Sequence, residues 1–542
     1  MAPHFTQTRR WKPLGDDRPI AFLVSTTPAA RDIRDHMGSP AYSYYFVVEA
    51  LAPVLERLGA WRLIDHPESR LAFAAKRAEA EGFRPIHLAI NPLQDVYLSP
   101  ALPNIVFPFW EFPEIPDRDF GHDTRQNWLR ICRGADLVLT ACRFTAHAFL
   151  RAGVPCPVSV VPIPLAPEAF HLPDWRRSHR FTLTCRHEVL APAEPKIVRP
   201  PLGVAAAESP DPPPKSLREH AFRQARNTFR RVSPWLKPET VARLTVLKQR
   251  LARASRMSPG KLAFVLVRNA YRNNVRRWLS DQALLKITNT KKAALALIGR
   301  EPNVVPDPPL PSTPLFLGNG LTYLTIFNLG DRRKNWLDMI SAFLLAFRDR
   351  DDVTLVIKMV TNVLVESYEA SVLRTAYQAL GISHRCRVVV ITEYLDQSQM
   401  DALFQVATCY VNASHAEGAC LPLLRALAGG RPAIAPDHTA MADYMDAAVG
   451  FVPRSFPEPA YWPHDPDQHM ETFRYRPVWS DLRDAFLASA GLAENHPILY
   501  AAMAQKARDR MAQYAGRSVA EAALRAALEQ ASLISEPSAL GA

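Results

Sequence analysis

Cysteine is scarce in this sequence, and long apolar runs are missing. Its 542 residues include seven cysteines, an odd number with no Cys-x-x-Cys pair among them. They are Cys132, Cys142, Cys156, Cys185, Cys386, Cys409 and Cys420. This spacing predicts neither a disulfide framework nor a zinc site and favours a reducing compartment. The N-terminus lacks the apolar core of a signal peptide, and no run of about 18 apolar residues follows, so we expect a cytoplasmic protein that does not span a membrane.

The composition is that of a globular protein, with 48% apolar and 22% charged residues. A chain of this length is too long for one ordinary hydrophobic core. We therefore expect two large domains, or two domains and an insertion.

The positive charge is concentrated in one segment. Residues 176–300 contain 27 Lys and Arg against 7 Asp and Glu, an excess larger than the net +12 of the whole chain. Eight prolines between Ala191 and Lys215 predict a linker, and the arginine-rich stretch from Leu217 to Val232 has the spacing of a basic amphipathic helix. Such helices bind anionic membranes, so peripheral attachment to the inner face of a membrane is one hypothesis. Nucleic-acid binding is the other, but the aromatic residues here follow helical spacing rather than forming a stacking platform, which makes it unlikely.

Strand and helix patterns alternate on both sides of this segment. In the first half, predicted strands are Ile20 to Ser25, Ile86 to Ile90, Asn104 to Trp110, Asp136 to Ala141 and Val158 to Ile163. In the second half they are Tyr323 to Leu329, Val353 to Val360, Arg387 to Glu393, Cys409 to Ser414 and Pro432 to Pro436. The alternation predicts two α/β, doubly wound, Rossmann-like domains, at residues 1–175 and 321–542, with a Pro-rich and basic helical insertion at 176–320.

The segment from Ser414 to Tyr444 carries the most specific pattern. A predicted strand ends in a Glu-Gly-x-x-Leu-Pro loop that opens a helix, and a Gly-Arg-Pro sequence then leads into the next strand. The helix start offers unpaired N–H groups to a diphosphate or to sugar hydroxyls, and Gly418 lets the backbone approach closely. Glu417 can accept hydrogen bonds from sugar hydroxyls. The alternative is a helix start whose Glu merely complements the helix dipole.

A second pattern, FNLGDRRKNWLDMISAF, runs from Phe327 to Phe343. Arg333 and Lys334 come just before its helix, where fixed cations would stabilise negative charge on a bound group. The alternative is that these two cations lie in a solvated turn and bind nothing.

Together these two patterns resemble family 4 of the GT-B-fold glycosyltransferases, the retaining enzymes known as glycosyl transferases group 1. The resemblance covers Pro19 to Leu165 and Leu321 to Ala531. It implies transfer of a hexose from a nucleotide-sugar donor to a glycan or lipid-linked acceptor, in envelope or exopolysaccharide synthesis. It also implies a mechanism that requires no protein nucleophile.

Site residues follow from the resemblance and from the residue chemistry. Catalytic roles are expected for Glu417, Arg333, Lys334 and Glu111, which ends an N-terminal strand and whose alternative role is a structural carboxylate. Donor binding is expected at Gly330, Gly418, Ala419, Cys420, Leu421 and Arg425, and acceptor contacts at Gly38 and Ser39. No metal or cofactor is expected, because the Asp-x-Asp sequences at Asp117 and Asp465, the latter near His464 and His469, lie in loop-like sequence.

One departure from the family pattern concerns the nucleotide. Many members have a second Glu eight residues after the first, which binds the ribose hydroxyls, but Arg425 stands there in this chain. Arginine has no acceptor atom, so ribose recognition must come from elsewhere or differ in kind, and Arg425 could instead pair with a phosphate or with a neighbouring carboxylate. A catalytically silent scaffold is therefore the alternative function.

Overall fold

The structure is a computed structural model of the chain. It describes residues 18–26, 37–38, 42–119, 123–192, 311–318, 320–361, 365–462, 465, 468 and 470–534. Most of the predicted basic insertion, including the helix pattern from Leu217 to Val232, lies outside the described residues.

The first domain is built on a six-stranded parallel sheet. Its elements in chain order are β1 (Ile20–Ser25), α1 (Tyr42–Leu58), β2 (Gly59–Leu63), α2 (Pro67–Ala80), β3 (Arg84–Ala89), β4 (Asn104–Val106), α3 (Trp128–Cys132), β5 (Leu137–Thr140), α4 (Arg143–Arg151) and β6 (Val158–Val160). The strand order is β2-β1-β3-β4-β5-β6. Successive side chains of β1 enter different cores: Phe22 and Val24 pack with α1, whereas Leu23 packs with α2. The sheet is thus covered on both faces, as a doubly wound domain requires.

Three short strands follow, in the segment predicted as linker and insertion. They are β7 (Arg180–Cys185), β8 (His187–Leu190) and β9 (Thr313–Gly318). β7 pairs with β9, and β8 pairs antiparallel with β12 at the edge of the second sheet. All three strands lie within the predicted insertion at 176–320, and the strand-like alternation of residues 180–185 was not singled out in the sequence.

The second domain repeats the architecture. It contains β10 (Leu321–Phe327), α5 (Trp336–Ala346), β11 (Val353–Met359), α6 (Glu366–Ala379), β12 (Arg387–Ile391), α7 (Gln397–Val406), β13 (Cys409–Val411), α8 (Leu421–Ala428), β14 (Ala433–Ile434) and β15 (Gly450–Phe451). The strand order is β15-β14-β13-β10-β11-β12-β8, parallel except for β8. Tyr323 and Leu324 of β10 enter two separate cores on opposite faces. The predicted fold class, two Rossmann-like doubly wound domains, is confirmed.

A hairpin and three helices complete the chain. The hairpin comprises β16 (Ser455–Tyr461) and β17 (Glu471–Pro477), and α9 (Trp479–Asn495), α10 (Pro497–Ala515) and α11 (Arg517–Gln530) follow. α9 and α10 pack on the second domain, whereas Leu524 and Leu528 of α11 are buried in the first domain with α1. The last helix, α11, thus packs on the first domain, although it lies within the predicted domain at 321–542. None of the described helices has the length and apolar character needed to cross a bilayer.

Candidate active site

The loop after β10 holds two cations side by side. It closes in a 3-10 turn at Arg332–Lys334, where the Asp331 side chain accepts a hydrogen bond from the Arg333 amide (3.3 Å). Asn335 then adopts a left-handed conformation (φ 49°) and starts α5. Because the turn is fixed at both ends, Arg333 and Lys334 are presented at the carboxyl end of the central strand, where doubly wound sheets bind ligands.

Glu417 lies in the loop between β13 and α8, and β13 is a neighbour of β10 in the sheet. Its side chain is only 3% exposed, and its Oε1 accepts hydrogen bonds from Ser414 Oγ (2.7 Å) and Asn412 Nδ2 (3.2 Å). A Cβ on the neighbouring Gly418 would lie 3.3 Å from Phe109 Cβ and 3.4 Å from the Trp110 amide. A side chain here would be tight, so the loop packs closely against the first domain at this position.

The two loops meet in one ion cluster that includes the first domain. Arg333 Nε lies 3.0 Å from both Glu111 Oε1 and Asp331 Oδ2, and Arg333 Nη1 lies 2.9 Å from Glu417 Oε2. Lys334 Nζ donates to Glu417 Oε1 at 2.7 Å. The structure thus brings four predicted residues together: Arg333, Lys334, Glu417 and Glu111. Three carboxylates face two cations, so the cluster has a formal charge of −1 when all five groups are ionised.

Burial and charge shift the cluster's carboxylates in opposite directions. Burial alone would raise the pKa of Glu417, but Lys334 and Arg333, with the Lys334 and Ser414 hydrogen bonds, hold that pKa well below its ordinary value. Burial raises the pKa of Glu111, and the charge of Arg333 only partly offsets it. Glu417 is therefore a fixed anion, whereas Glu111 is the carboxyl more ready to take up a proton.

The remaining donor-loop residues have structural contacts. Ala419 is buried in the core of the first domain, and Leu421 packs beside that core as the first residue of α8. Cys420 is left-handed (φ 59°), and its sulfur accepts a hydrogen bond from Asn412 Nδ2 (2.9 Å). In the other loop, the Gly330 amide donates to Asn328 Oδ1 (2.9 Å).

Arg425 points away from this cluster. Its guanidinium forms an ion pair with Asp401 of α7 and lies over the Phe404 ring, 5.5 Å from the ring centroid. Of the two alternatives derived from the sequence, the structure therefore shows the carboxylate partner. It places no acceptor for ribose hydroxyls at this position.

The acceptor-side loop is described only in part. Gly38 has φ +79°, and a Cβ there would lie 3.0 Å from the Val360 carbonyl oxygen, so a side chain would be strained and crowded. Asn328 donates a hydrogen bond to the Gly38 carbonyl. This loop therefore contacts the second domain directly. Ser39 lies outside the described residues.

Two histidines and the hairpin belong to the same region and were not predicted. His415 lies two residues before Glu417, and the Tyr475 ring of β17 stacks on His438 at 4.9 Å between centroids. The alternation of aromatic and charged residues in ETFRYRP was the available strand signal for β17. No sequence signal marked either histidine.

No group of three or more His, Cys, Asp or Glu suited to a metal ion occurs among the residues that the structure describes. Asp117 pairs with its neighbour Arg118, and Asp465 accepts a hydrogen bond from the Met470 amide (2.8 Å). His464 and His469 lie outside the described residues. Metal independence stays a prediction.

Comparisons with known proteins find likeness in fold. No family model matches the chain, and no curated protein matches its sequence. HepE from Anabaena, solved with UDP and glucose, superposes with a TM-score of 0.44 at 11% identity, over 94% of this chain and 99% of its own. Sucrose-phosphate synthase from Thermosynechococcus elongatus gives 0.45 at 12% identity, over 95% and 99%. A glycosyltransferase from Rickettsia africae gives 0.45 at 8% identity, over 96% and 100%. At such distances the fold assignment rests on this chain's own two sheets, and the functional assignment rests on its site residues.

Proposed function

We propose that this chain is a retaining glycosyltransferase that moves a sugar from a nucleotide-sugar to a glycan or lipid-linked acceptor in envelope or exopolysaccharide synthesis. One observation carries the proposal. Arg333 and Lys334, at the carboxyl end of β10, converge on Glu417, which follows β13. This combination of paired cations and a buried carboxylate suits a ligand with a diphosphate at one end and hydroxyls at the other.

Donor binding would exchange partners within the cluster. The diphosphate takes the two cations, and Glu417 then accepts hydrogen bonds from the sugar. In the transition state the bond from the anomeric carbon to the diphosphate breaks, and Arg333 and Lys334 stabilise the negative charge that develops on the leaving group. The acceptor hydroxyl attacks the same face and forms the new glycosidic bond, and its proton passes to a phosphate oxygen of the leaving group.

Glu111 supports an acceptor entry from the first domain, since it belongs to that domain and contacts Arg333 at 3.0 Å. Burial raises the pKa of Glu111, and a phosphate that takes the charge of Arg333 would raise that pKa further. We assign it to the acceptor or sugar contact rather than to a nucleophilic role. The proposal involves no metal ion.

A thermal-shift screen against UDP, GDP, ADP, CMP and their sugar conjugates tests the donor site. A ligand that binds only the folded state raises the melting temperature by mass action. We expect one nucleotide to stabilise the wild type and to lose that effect in Lys334→Ala. The control is Lys506→Ala, which removes an exposed lysine on α10. Binding without turnover would favour the silent scaffold, and no shift with any nucleotide would overturn the proposal.

We further propose peripheral attachment to an anionic membrane surface, where a lipid-linked acceptor would be found. The basic excess of residues 176–300 supports it. Deleting that whole segment would remove β7 and β8, so the sharper test replaces Arg223, Arg226, Arg230 and Arg231 by Gln. We expect wild type, and not this variant, to co-sediment with phosphatidylglycerol vesicles. Equal binding would refute the membrane proposal, and salt-sensitive retention on oligonucleotides would favour nucleic acid instead.

A further inference from the structure

Two buried histidines beside the ion cluster lack hydrogen-bond partners for most of their ring nitrogens. His415 and His438 are each 7% exposed. Neither ring nitrogen of His415 has a partner among the described residues, nor does Nε2 of His438. Leaving a buried polar atom unpaired is costly, and such atoms are few in folded proteins, so each calls for a partner such as a water, an ion or a ligand.

The backbone ties both histidines to the cluster residues. The His415 amide donates to the Arg333 carbonyl (2.7 Å), and the His415 carbonyl accepts from the Tyr475 amide (2.9 Å). His438 precedes Thr439, whose hydroxyl accepts a hydrogen bond from the Glu417 amide (3.0 Å). Both imidazoles are therefore fixed relative to the carboxylate that would face the sugar.

The β16–β17 hairpin covers this position. Tyr475 stacks on His438 with an interplanar angle of 19° and makes an edge contact with Phe144 of the first domain (6.5 Å). The Trp462 ring, just after β16, packs on Trp110 at 5.0 Å. Tyr475 of the hairpin thus contacts both His438 of the second domain and Phe144 of the first, and Trp462 adds a further contact to the first domain.

The chemistry of the pair suits a neutral polyol. Burial lowers the pKa of His415 to about 4 and that of His438 to about 3, so both rings are uncharged at neutral pH. A neutral imidazole offers one N–H donor and one acceptor nitrogen, as does a hydroxyl group with its proton and lone pairs. A diphosphate, in contrast, has acceptors only and is better served by Arg333 and Lys334.

We propose that His415 and His438 form a subsite for the hydroxyl groups of the transferred sugar, separate from the cations that hold its diphosphate. This inference rests on the proposed function. The two histidines belong to loops of the second domain that also position Glu417, whereas the acceptor enters from the side of Glu111. The subsite therefore belongs to the donor sugar.

The test compares affinity for the nucleoside diphosphate with affinity for its sugar conjugate, by titration calorimetry on the pair selected in the thermal-shift screen. His415→Phe and His438→Phe keep an aromatic ring at each position and remove the polar nitrogens. We expect the diphosphate affinity to stay within twofold, while the sugar conjugate binds about tenfold more weakly, as expected for one or two lost hydrogen bonds. His147→Phe, an exposed change on α4, is the matched control.

Each other outcome has a distinct meaning. Unchanged affinity for the sugar conjugate in both variants would overturn the subsite, as would an equal loss for both ligands, which indicates a structural role. If a Phe variant does not fold, His438→Gln replaces it. Glutamine keeps a donor and an acceptor, so part of the sugar affinity should survive, and complete loss would count against the inference. A wild type that binds neither ligand would refute the proposed function itself.

Discussion

Replacing Glu417 by Gln removes a buried charge that two cations share. The Glu417 side chain is 3% exposed, and it lies 2.7 Å from Lys334 and 2.9 Å from Arg333. Breaking a buried ion pair from one side costs about 3–5 kcal/mol, since the remaining charge is left uncompensated. Arg333 keeps its contacts with Glu111 and Asp331, so Lys334 is the main charge left without a partner. We therefore expect the free energy of unfolding to fall by ~3 kcal/mol.

For a domain of this size that loss corresponds to a melting temperature lower by about 6–12 °C. The double variant Glu417→Gln/Lys334→Met removes the stranded charge as well and should regain at least half of the loss. Asp349→Asn is the control, because Asp349 pairs only at 3.8 Å with an exposed Arg348 and should change little. A Glu417→Gln protein that melts within about 1 °C of wild type would refute the ionic interpretation of the cluster.

The same variant has a defined pH dependence. The pKa of Glu417 is depressed in the folded state, so the unfolded chain binds the proton more tightly. The stability from Glu417 is therefore complete above the ordinary pKa of 4.5 and is lost as pH falls towards the folded value. Melting curves should show a constant gap between wild type and variant from pH 7 to pH 5 and a narrowing gap below about pH 4.5.

Three further changes test other contacts. Arg425→Ala should lower the melting temperature by a few degrees through loss of the Asp401 pair and leave nucleotide affinity unchanged; a large loss of affinity would place Arg425 in the donor site. Gly418→Ala should destabilise by about 1–3 kcal/mol, measured by urea unfolding, because its Cβ would crowd Phe109; a neutral change would refute the close approach. Glu111→Gln should be at least as stable as wild type at pH 7, with a difference that shrinks towards pH 4, because burial raises the pKa of Glu111 and its ionised form opposes folding; a less stable variant at pH 7 would contradict this sign.

The regular elements could be predicted where the apolar pattern was strong and unbroken. The predicted strand Ile20 to Ser25 has the observed bounds, and α8 starts at Leu421, within the Glu-Gly-x-x-Leu-Pro sequence that was predicted to open a helix. The strand predicted from Asn104 to Trp110 ends at Val106, because Pro108 has no N–H to donate to the ladder. β2, a short and partly exposed strand at the sheet edge, gave no clear alternation and was missed.

The proximity of the cluster residues could be expected from the sequence, but their individual contacts could not, and their role in a site stays a prediction. Residue type and loop position indicated Arg333, Lys334 and Glu417, since the ends of parallel strands meet at one edge of a sheet. The Arg333 contact with Glu111 depends on how the two domains close, and the direction of Arg425 depends on the packing of α7 against α8. Neither is encoded in a local pattern. The histidines were missed because an unpaired ring nitrogen is a property of the folded surroundings.

The partners of Glu417 predict which ligand binds more tightly, the nucleoside diphosphate or its sugar conjugate. A nucleoside diphosphate alone would take Arg333 and Lys334 from Glu417 and leave that buried carboxylate with only Ser414 and Asn412 as donors. A nucleotide-sugar supplies hydroxyl donors to Glu417 in the same event, so it avoids the cost of an under-solvated anion. We therefore expect the sugar conjugate to bind more tightly than the diphosphate in the wild type, and we expect Glu417→Gln to reduce or reverse that order. Titration of both ligands into both proteins measures it. An unchanged order in the variant would show that Glu417 does not accept from the sugar.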